Sequence, residues 1–194
     1  CDLSLYEMLW GYTVFAGRGF STKPWYISRI EDRNGNVIIR FDYSVNRKEA
    51  INEITAYKMI RMIQGTVDIG TAAGLRGRLG AAEMGGKTGT TNDNSDAWYM
   101  GYTPQLLAGV WVGCDDRFIR LNKNDTRGYG GTAARPIWES FYKKVYADKK
   151  LGIDRDARFS KPADLELEMN SPDPLNLLDA IPPPAAEGED QGVG

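Results

Sequence analysis

Apolar residues recur at helical spacing over residues 4–16, where Leu5, Met8, Leu9, Tyr12, Phe15 and Ala16 mark one face. Ser4 and Glu7 make a capping-box pair at its start, and Gly17 and Gly19 stop it. The period then changes. In WYISRIEDRNGNVIIRF two β-rich runs flank Asn34–Gly35, a pair that favours a two-residue hairpin turn because both residues tolerate positive φ. A second helix is predicted over about 48–65, with Ala56, Met59, Ile60 and Ile63 in step. The Gly- and Arg-rich IGTAAGLRGRLG predicts a short helical piece or a loop. GKTGTT, DAWYMGYT and LLAGVWVGCDD then read as three successive strands, and on the middle one Trp98, Met100 and Tyr102 alternate with Ala97, Tyr99 and Gly101. Residues 132–147, TAARPIWESFYKKVYA, predict a last helix with Ala134, Ile137, Trp138, Phe141 and Val145 facing inward. The order helix, hairpin, helix, three strands, helix, with short links between the strands, predicts an α+β fold, an antiparallel sheet flanked by helices.

From about residue 160 the composition turns to Pro and acid, ending IPPPAAEGEDQGVG, and the periodicity disappears. This reads as a disordered, solvated end. The organisation expected is a domain over 1–148 and a C-terminal extension over 149–194. The formal charge of -2 hides an asymmetry: 24 basic and 18 acidic residues lie at or before Lys161, and eight acids with no base follow it. A mildly basic body suits an anionic polymer or a carboxylate ligand. No nucleic-acid partner is expected.

The chain contains no histidine, which excludes Ser-His-Asp and Cys-His catalysis and argues against a zinc site. Acid–base work must fall to Lys, Asp, Glu or Tyr, and no metal or cofactor is expected. The two cysteines form no metal pattern; Cys114 sits in an apolar run as a core thiol. Whether it pairs with Cys1 depends on a Cα separation that sequence does not give. No apolar run approaches the length of a membrane span. Cys1–Asp2 would suit a lipoprotein start, but a helix follows at once without a linker, so the start reads as an arbitrary cut.

Candidate chemistry concentrates in MGGKTGTTND, residues 84–93. A phosphate loop needs Gly, four residues, then Gly-Lys-Ser/Thr. Gly86–Lys87–Thr88 supplies its end, but position 81 is Ala81, and Gly80 falls one residue early. An apolar strand should precede and a helix follow, whereas GRLGAAEM and TGTTNDNSDAW suit neither. The other reading is a strand edge. Alternation places Lys87 and Gly89 on one side and Thr88 and Thr90 on the other. A free edge can pair with an extended peptide, Gly89 permits close approach, and the lysine and hydroxyls suit a terminal carboxylate.

The surroundings extend the motif. GGKTGTTNDNSDAWYMGYTPQLLAGVWVGCDD resembles the third motif and following strands of penicillin-binding protein transpeptidase domains, most closely those of class A bifunctional peptidoglycan synthases. LSLYEMLWGYTVFAGRGF, WYISRIEDRNGNVI, MIQGTVDIGTAAGLRG and GGTAARPIWESFYKK fit the same family in order, so the resemblance spans about residues 3–148. It implies part of the penicillin-binding, serine β-lactamase-like fold. It also implies a serine acyl-enzyme formed on the D-Ala-D-Ala end of a stem peptide and passed to a neighbouring amine. Lys87 would then set the electrostatics and proton transfer, and Thr88, Gly89 and Thr90 would bind substrate or penicillin. The Thr90 backbone N–H would complete an oxyanion hole with that of the serine. Implied partners are peptidoglycan stem peptides, β-lactams and the upstream half of the same protein, with an upstream glycosyltransferase domain. The implied place is the periplasmic side of a bacterial inner membrane, anchored by an upstream segment.

Two family motifs that should precede K-T-G are not found there. Ser140-Phe-Tyr-Lys143 matches S-x-x-K but follows K-T-G, in a helix whose Phe141 is expected to face the core. Ser44-Val45-Asn46 matches S-x-N but falls after the hairpin. Both read as coincidences, which places the nucleophile upstream of Cys1 and leaves this segment inactive alone. A carboxypeptidase or serine β-lactamase is the competing enzyme, and a non-catalytic binding fragment the competing module. Trp98 and Trp111 read as core; Asp96 as a residue of the site mouth or a turn cap; Asp115 and Asp116 as solvated turn acids; Arg76 and Arg78 as a surface pair.

Overall fold

The computed structural model describes residues 3–42, 47–116, 118–121 and 126–165. The chain divides into a unit over Cys1–Lys161, described below, and another over Pro162–Gly194. Ser44, Asn46 and the acidic tail from residue 166 onward lie outside the described residues.

Helix α1 (Leu5–Ala16) starts as its sequence dictates. Ser4 Oγ accepts from Glu7 N–H at 3.2 Å while the Glu7 carboxylate accepts from Ser4 N–H at 2.8 Å, satisfying two otherwise orphan donors. Strand β1 (Phe20–Thr22) pairs with β4 (Arg47–Glu49), and β2 (Arg29–Glu31) with β3 (Val37–Arg40), both antiparallel. The hairpin tip differs from the two-residue turn expected. Asp32 N–H bonds to Asn36 O at 2.9 Å, closing a longer loop in which Gly35 carries a φ of 85°. The Asp32 carboxylate causes this, accepting from the N–H groups of Asn34 (2.8 Å) and Asn36 (2.9 Å).

Helix α2 runs Glu53–Asp68, not 48–65. Residues 47–49 go to β4, and Asn52 sets the start by accepting from Thr55 N–H at 2.7 Å. A short α3 (Leu75–Leu79) follows, closed by Gly80 at a φ of 65°. The three expected strands are β5 (Gly85–Thr90), β6 (Asp96–Tyr102) and β7 (Leu107–Gly113), antiparallel in that order. Gly86–Lys87–Thr88 therefore sits inside a strand, where no helix N-terminus exists to cradle phosphate.

The last helix, α4 (Arg135–Ala147), is preceded by a wide π-type turn over Gly130–Ala134. Its buried face is rotated from the one predicted. Trp138, Tyr142, Val145 and Tyr146 are buried, as is Ala134 before them, but Ile137 is 53% and Phe141 45% exposed. Trp138 stacks on Tyr142 at 3.9 Å and meets Tyr99 edge-on at 5.2 Å. Trp138 Nε1 donates to Ala108 O at 3.1 Å and Tyr142 O–H to Leu106 O at 2.5 Å. Rings with a polar handle can dock on β7 and satisfy carbonyls in it and just before it together, which Ile137 and Phe141 cannot.

The sheet is covered on both faces. A Cβ on Gly101 would lie 2.6 Å from Trp138, while one on Gly109 would lie 2.9 Å from Leu5 of α1. The register pairs Gly101 with Ala108, so Gly101 and Gly109 point to opposite faces. Helix α4 thus covers one face, and α1 with α2 the other. No α1 side chain is fully buried, and Ile30, Val37, Ile38 and Ile39 of the hairpin are exposed. Residues 153–159 strap the far end of the sheet: Ala82 N–H donates to Arg155 O, Asp154 N–H to Gln105 Oε1 and Phe159 N–H to Glu83 Oε2, each at 2.7 Å.

Candidate active site

Strand β5 is paired only with β6 among the described strands, so its other edge is open. Ladder parity fixes which backbone groups face that edge. Thr91 N–H closes onto Asp96 O at 3.2 Å on the paired side, while Gly86 O accepts from Thr66 Oγ1 of α2 on the outer side. Alternation then turns the N–H and C=O groups of Thr88 and Thr90 outward along with those of Gly86. Lys87 Nζ folds along this edge and donates to Thr88 O at 2.7 Å. An ammonium, two hydroxyls and the outward N–H groups of Thr88 and Thr90 therefore line one exposed strip.

The side chains alternate as the sequence implies. Thr88 pairs in register with Tyr99 and Thr90 with Ala97, on the face covered by α4. Lys87 pairs with Met100 and Gly89 with Trp98, on the opposite face. Gly86 has a local reason to be glycine, since a Cβ there would run into the Tyr99 hydroxyl and come within 2.7 Å of its Cζ. Burial is the main cause pushing that phenol up, and it stays neutral beneath the strand.

Two further elements reach the strip that motif spacing does not reveal. The loop after α2 brings Thr71 Oγ1 to 3.3 Å from Thr88 Oγ1. The turn before α4 brings Gly130 N–H to Thr90 Oγ1 at 3.1 Å. Gly130 packs so closely that a Cβ on it would strike Trp98 O and lie 2.5 Å from Gly89 O. Both residues lie in the blocks IGTAAGL and GGTAARP; their sequence signal was small residues in loops, with nothing to say that those loops meet β5.

Beyond Thr90 the chain turns through Asp93 and Asn94, both at positive φ. Asp96 holds this turn, its carboxylate accepting from Thr91 Oγ1 (3.1 Å), Ser95 Oγ (3.2 Å) and Trp111 Nε1 (2.8 Å). Trp111 is 38% exposed and Trp98 half-buried, rings 6.3 Å apart, so the two tryptophans expected in the core lie partly exposed beside Gly89. Asp116 caps its own turn at Phe118 N–H, 2.9 Å. Arg76 pairs with Asp68 at 2.8 Å and Arg78 with Glu139 at 3.1 Å, so both arginines tie elements together. Cys114 is a free, half-buried thiol.

Ser140 lies exposed on the solvent side of α4, and Lys143 is drawn to Glu139 at 2.9 Å. Phe141, expected to face the core, is exposed, and the outward placement of Ser140 itself separates the pair from β5. Among the described residues no three His, Cys, Asp or Glu side chains group as a metal site, and no helix is long and apolar enough to cross a membrane.

Residues 2–143 match the family described as the penicillin binding protein transpeptidase domain. Penicillin-binding protein 1A of Neisseria gonorrhoeae is 37% identical over 142 residues, 72% of this chain and 17% of that protein. That of Vibrio cholerae is 31% identical over 188 residues, covering 76% of this chain and 23% of that protein. The chain thus spans about a fifth of the length of these relatives. Among solved structures, penicillin-binding protein 1A from Haemophilus influenzae superposes with a TM-score of 0.69 at 22% identity, over 84% of this chain and 28% of that one. Penicillin-binding protein PonA1 from Mycobacterium tuberculosis superposes at 0.65 with 24% identity, over 95% and 46%. Penicillin-binding protein A from M. tuberculosis, solved as an imipenem acyl-enzyme complex, superposes at 0.55 with 20% identity, over 75% and 32%. The fold, with helices on both faces of an antiparallel sheet whose K-T-G strand is its open edge, is that of these proteins, and the chain belongs to the penicillin-binding protein transpeptidase domain family.

Proposed function

We propose that this segment forms one wall of the acyl-transfer site of a peptidoglycan D,D-transpeptidase, and that β5 is the strand on which the stem peptide is laid. The observation that carries the reading is the open edge of β5, where Lys87 Nζ, the Thr88 and Thr90 hydroxyls and the outward backbone groups of both threonines share one strip. An extended peptide adds to such an edge by main-chain hydrogen bonds, and its terminal carboxylate meets hydroxyl donors and an ammonium. The Thr90 N–H, turned outward, is a preorganised donor for the oxyanion that develops when a carbonyl is attacked. The attacking serine and its proton-accepting lysine belong to a part of the protein other than residues 1–194, because Ser140 and Lys143 stand away from the strip. β-Lactams enter as mimics of the same peptide end. The reading places the whole protein on the periplasmic face of a bacterial membrane.

The test is covalent labelling of the longer natural polypeptide by a fluorescent penicillin. Lys87→Ala removes the charged donor and is expected to slow acylation about 10- to 100-fold, the value of a charge-assisted hydrogen bond. Labelling at the unchanged rate would take Lys87 out of the chemistry.

A further inference from the structure

We infer that Thr71 is a positioning residue that presets the Thr88 hydroxyl as a donor to an anionic ligand; this rests on reading the β5 edge as the carboxylate-binding strip. A carboxylate only accepts hydrogen bonds, whereas a threonine hydroxyl has one proton to give and lone pairs to receive with. A hydroxyl serves an anion best when another donor occupies its oxygen from behind, leaving its proton free and polarised.

Both threonines of the strip have such a donor. Thr90 Oγ1 receives from Gly130 N–H at 3.1 Å, and a backbone N–H can only donate, so the Thr90 proton is not spent on that bond. Thr88 Oγ1 lies 3.3 Å from Thr71 Oγ1, a pair in which either oxygen can donate. An anion arriving at Thr88 selects one direction, Thr71 O–H to Thr88 O–H to carboxylate, because the reverse leaves Thr88 with no proton for it. A Cβ built on Gly131 would sit 3.8 Å from both Thr88 Cγ2 and Thr71 O, so loop, strand and turn meet beside Thr88. The loop after α2 thus does for Thr88 what the turn before α4 does for Thr90.

Thr71 is itself exposed, so its hydroxyl can be removed without opening a core cavity. The experiment measures acylation of the longer natural polypeptide by benzylpenicillin, which carries the carboxylate, and by its methyl ester, which does not. Thr71→Val is expected to slow acylation by the acid about fivefold, the net value of one hydrogen bond, and to leave the ester rate within error. Thr71→Ser should restore the acid rate. Equal slowing of both compounds would make Thr71 a merely structural residue, and no slowing, or no rescue by serine, would also overturn the inference. Thr88→Val, run beside it, separates the two levels. A collapsed acid-to-ester ratio in Thr88→Val with an unchanged ratio in Thr71→Val sinks the positioning role alone. An unchanged ratio in Thr88→Val sinks the carboxylate reading beneath it.

Discussion

Glycine and hydroxyl positions along β5 answer different physical demands. Gly86 is small because the Tyr99 ring lies under it, and Gly130 because the backbone of Gly89 and Trp98 does. Neither glycine has positive φ, so close approach, and not backbone freedom, is what each provides. Thr88 and Thr90 instead each have a partner at the hydroxyl, Thr71 Oγ1 and Gly130 N–H. Ser140 meets none of these demands: it is exposed, and its string partner Lys143 is already paired with Glu139. Ser140→Ala in the longer polypeptide is therefore expected to leave penicillin labelling unchanged. Loss of labelling would make Ser140 the nucleophile and overturn the assignment of the strip. The S-x-x-K string shows why a local match is weak: three-residue spacing on a helix says which residues share a face, but not what that face meets.

Element by element, the sequence was most legible where a local signal decided the outcome. Ser4 and Glu7 started α1, and the three runs read as strands became three strands in order. Tertiary demand decided the rest. Asn52 delayed α2 because residues 47–49 were claimed by β1, and α4 turned its aromatic residues with polar handles inward past Ile137 and Phe141. Thr71 and Gly130 were unreadable as site residues because only folding carries their loops to β5. Helices α3 and α4 are also joined by charge. Glu139, largely buried, accepts from Arg78 at 3.1 Å and pairs with Lys143 at 2.9 Å. Burial pushes its carboxyl up, but the two cations outweigh that and hold it below the ordinary value of 4.5. A depressed carboxyl contributes stability that is complete above its unfolded value and is lost as pH falls through the folded one. Glu139→Gln should therefore lower the urea midpoint at pH 7, and the gap to the parent should close as pH falls below the ordinary 4.5 and through the depressed folded-state value. A constant gap between the two across that range would mean that the ion pairs contribute nothing.

For the molecule as a whole, the distribution of apolar surface bears on how the site is completed. Helix α1 is apolar on most sides yet has no fully buried residue, and the β2–β3 hairpin exposes Ile30, Val37, Ile38 and Ile39. A two-stranded hairpin with little cover is marginal by itself, and exposed apolar side chains of this kind are normally met by another part of a protein. The relatives, of which this chain spans 17% and 23%, have ample chain to supply it. If that remainder also carries the serine, residues 1–194 alone should show no covalent labelling by fluorescent penicillin while the longer natural polypeptide is labelled. The shorter chain should also bind an apolar dye such as ANS more strongly, and the excess should fall in the longer one as α1 and the hairpin are covered. Labelling of residues 1–194 alone that is abolished by Ser140→Ala or Ser44→Ala would place a nucleophile within the chain. Labelling would then need no second wall, and the open edge of β5 would no longer be half of a site.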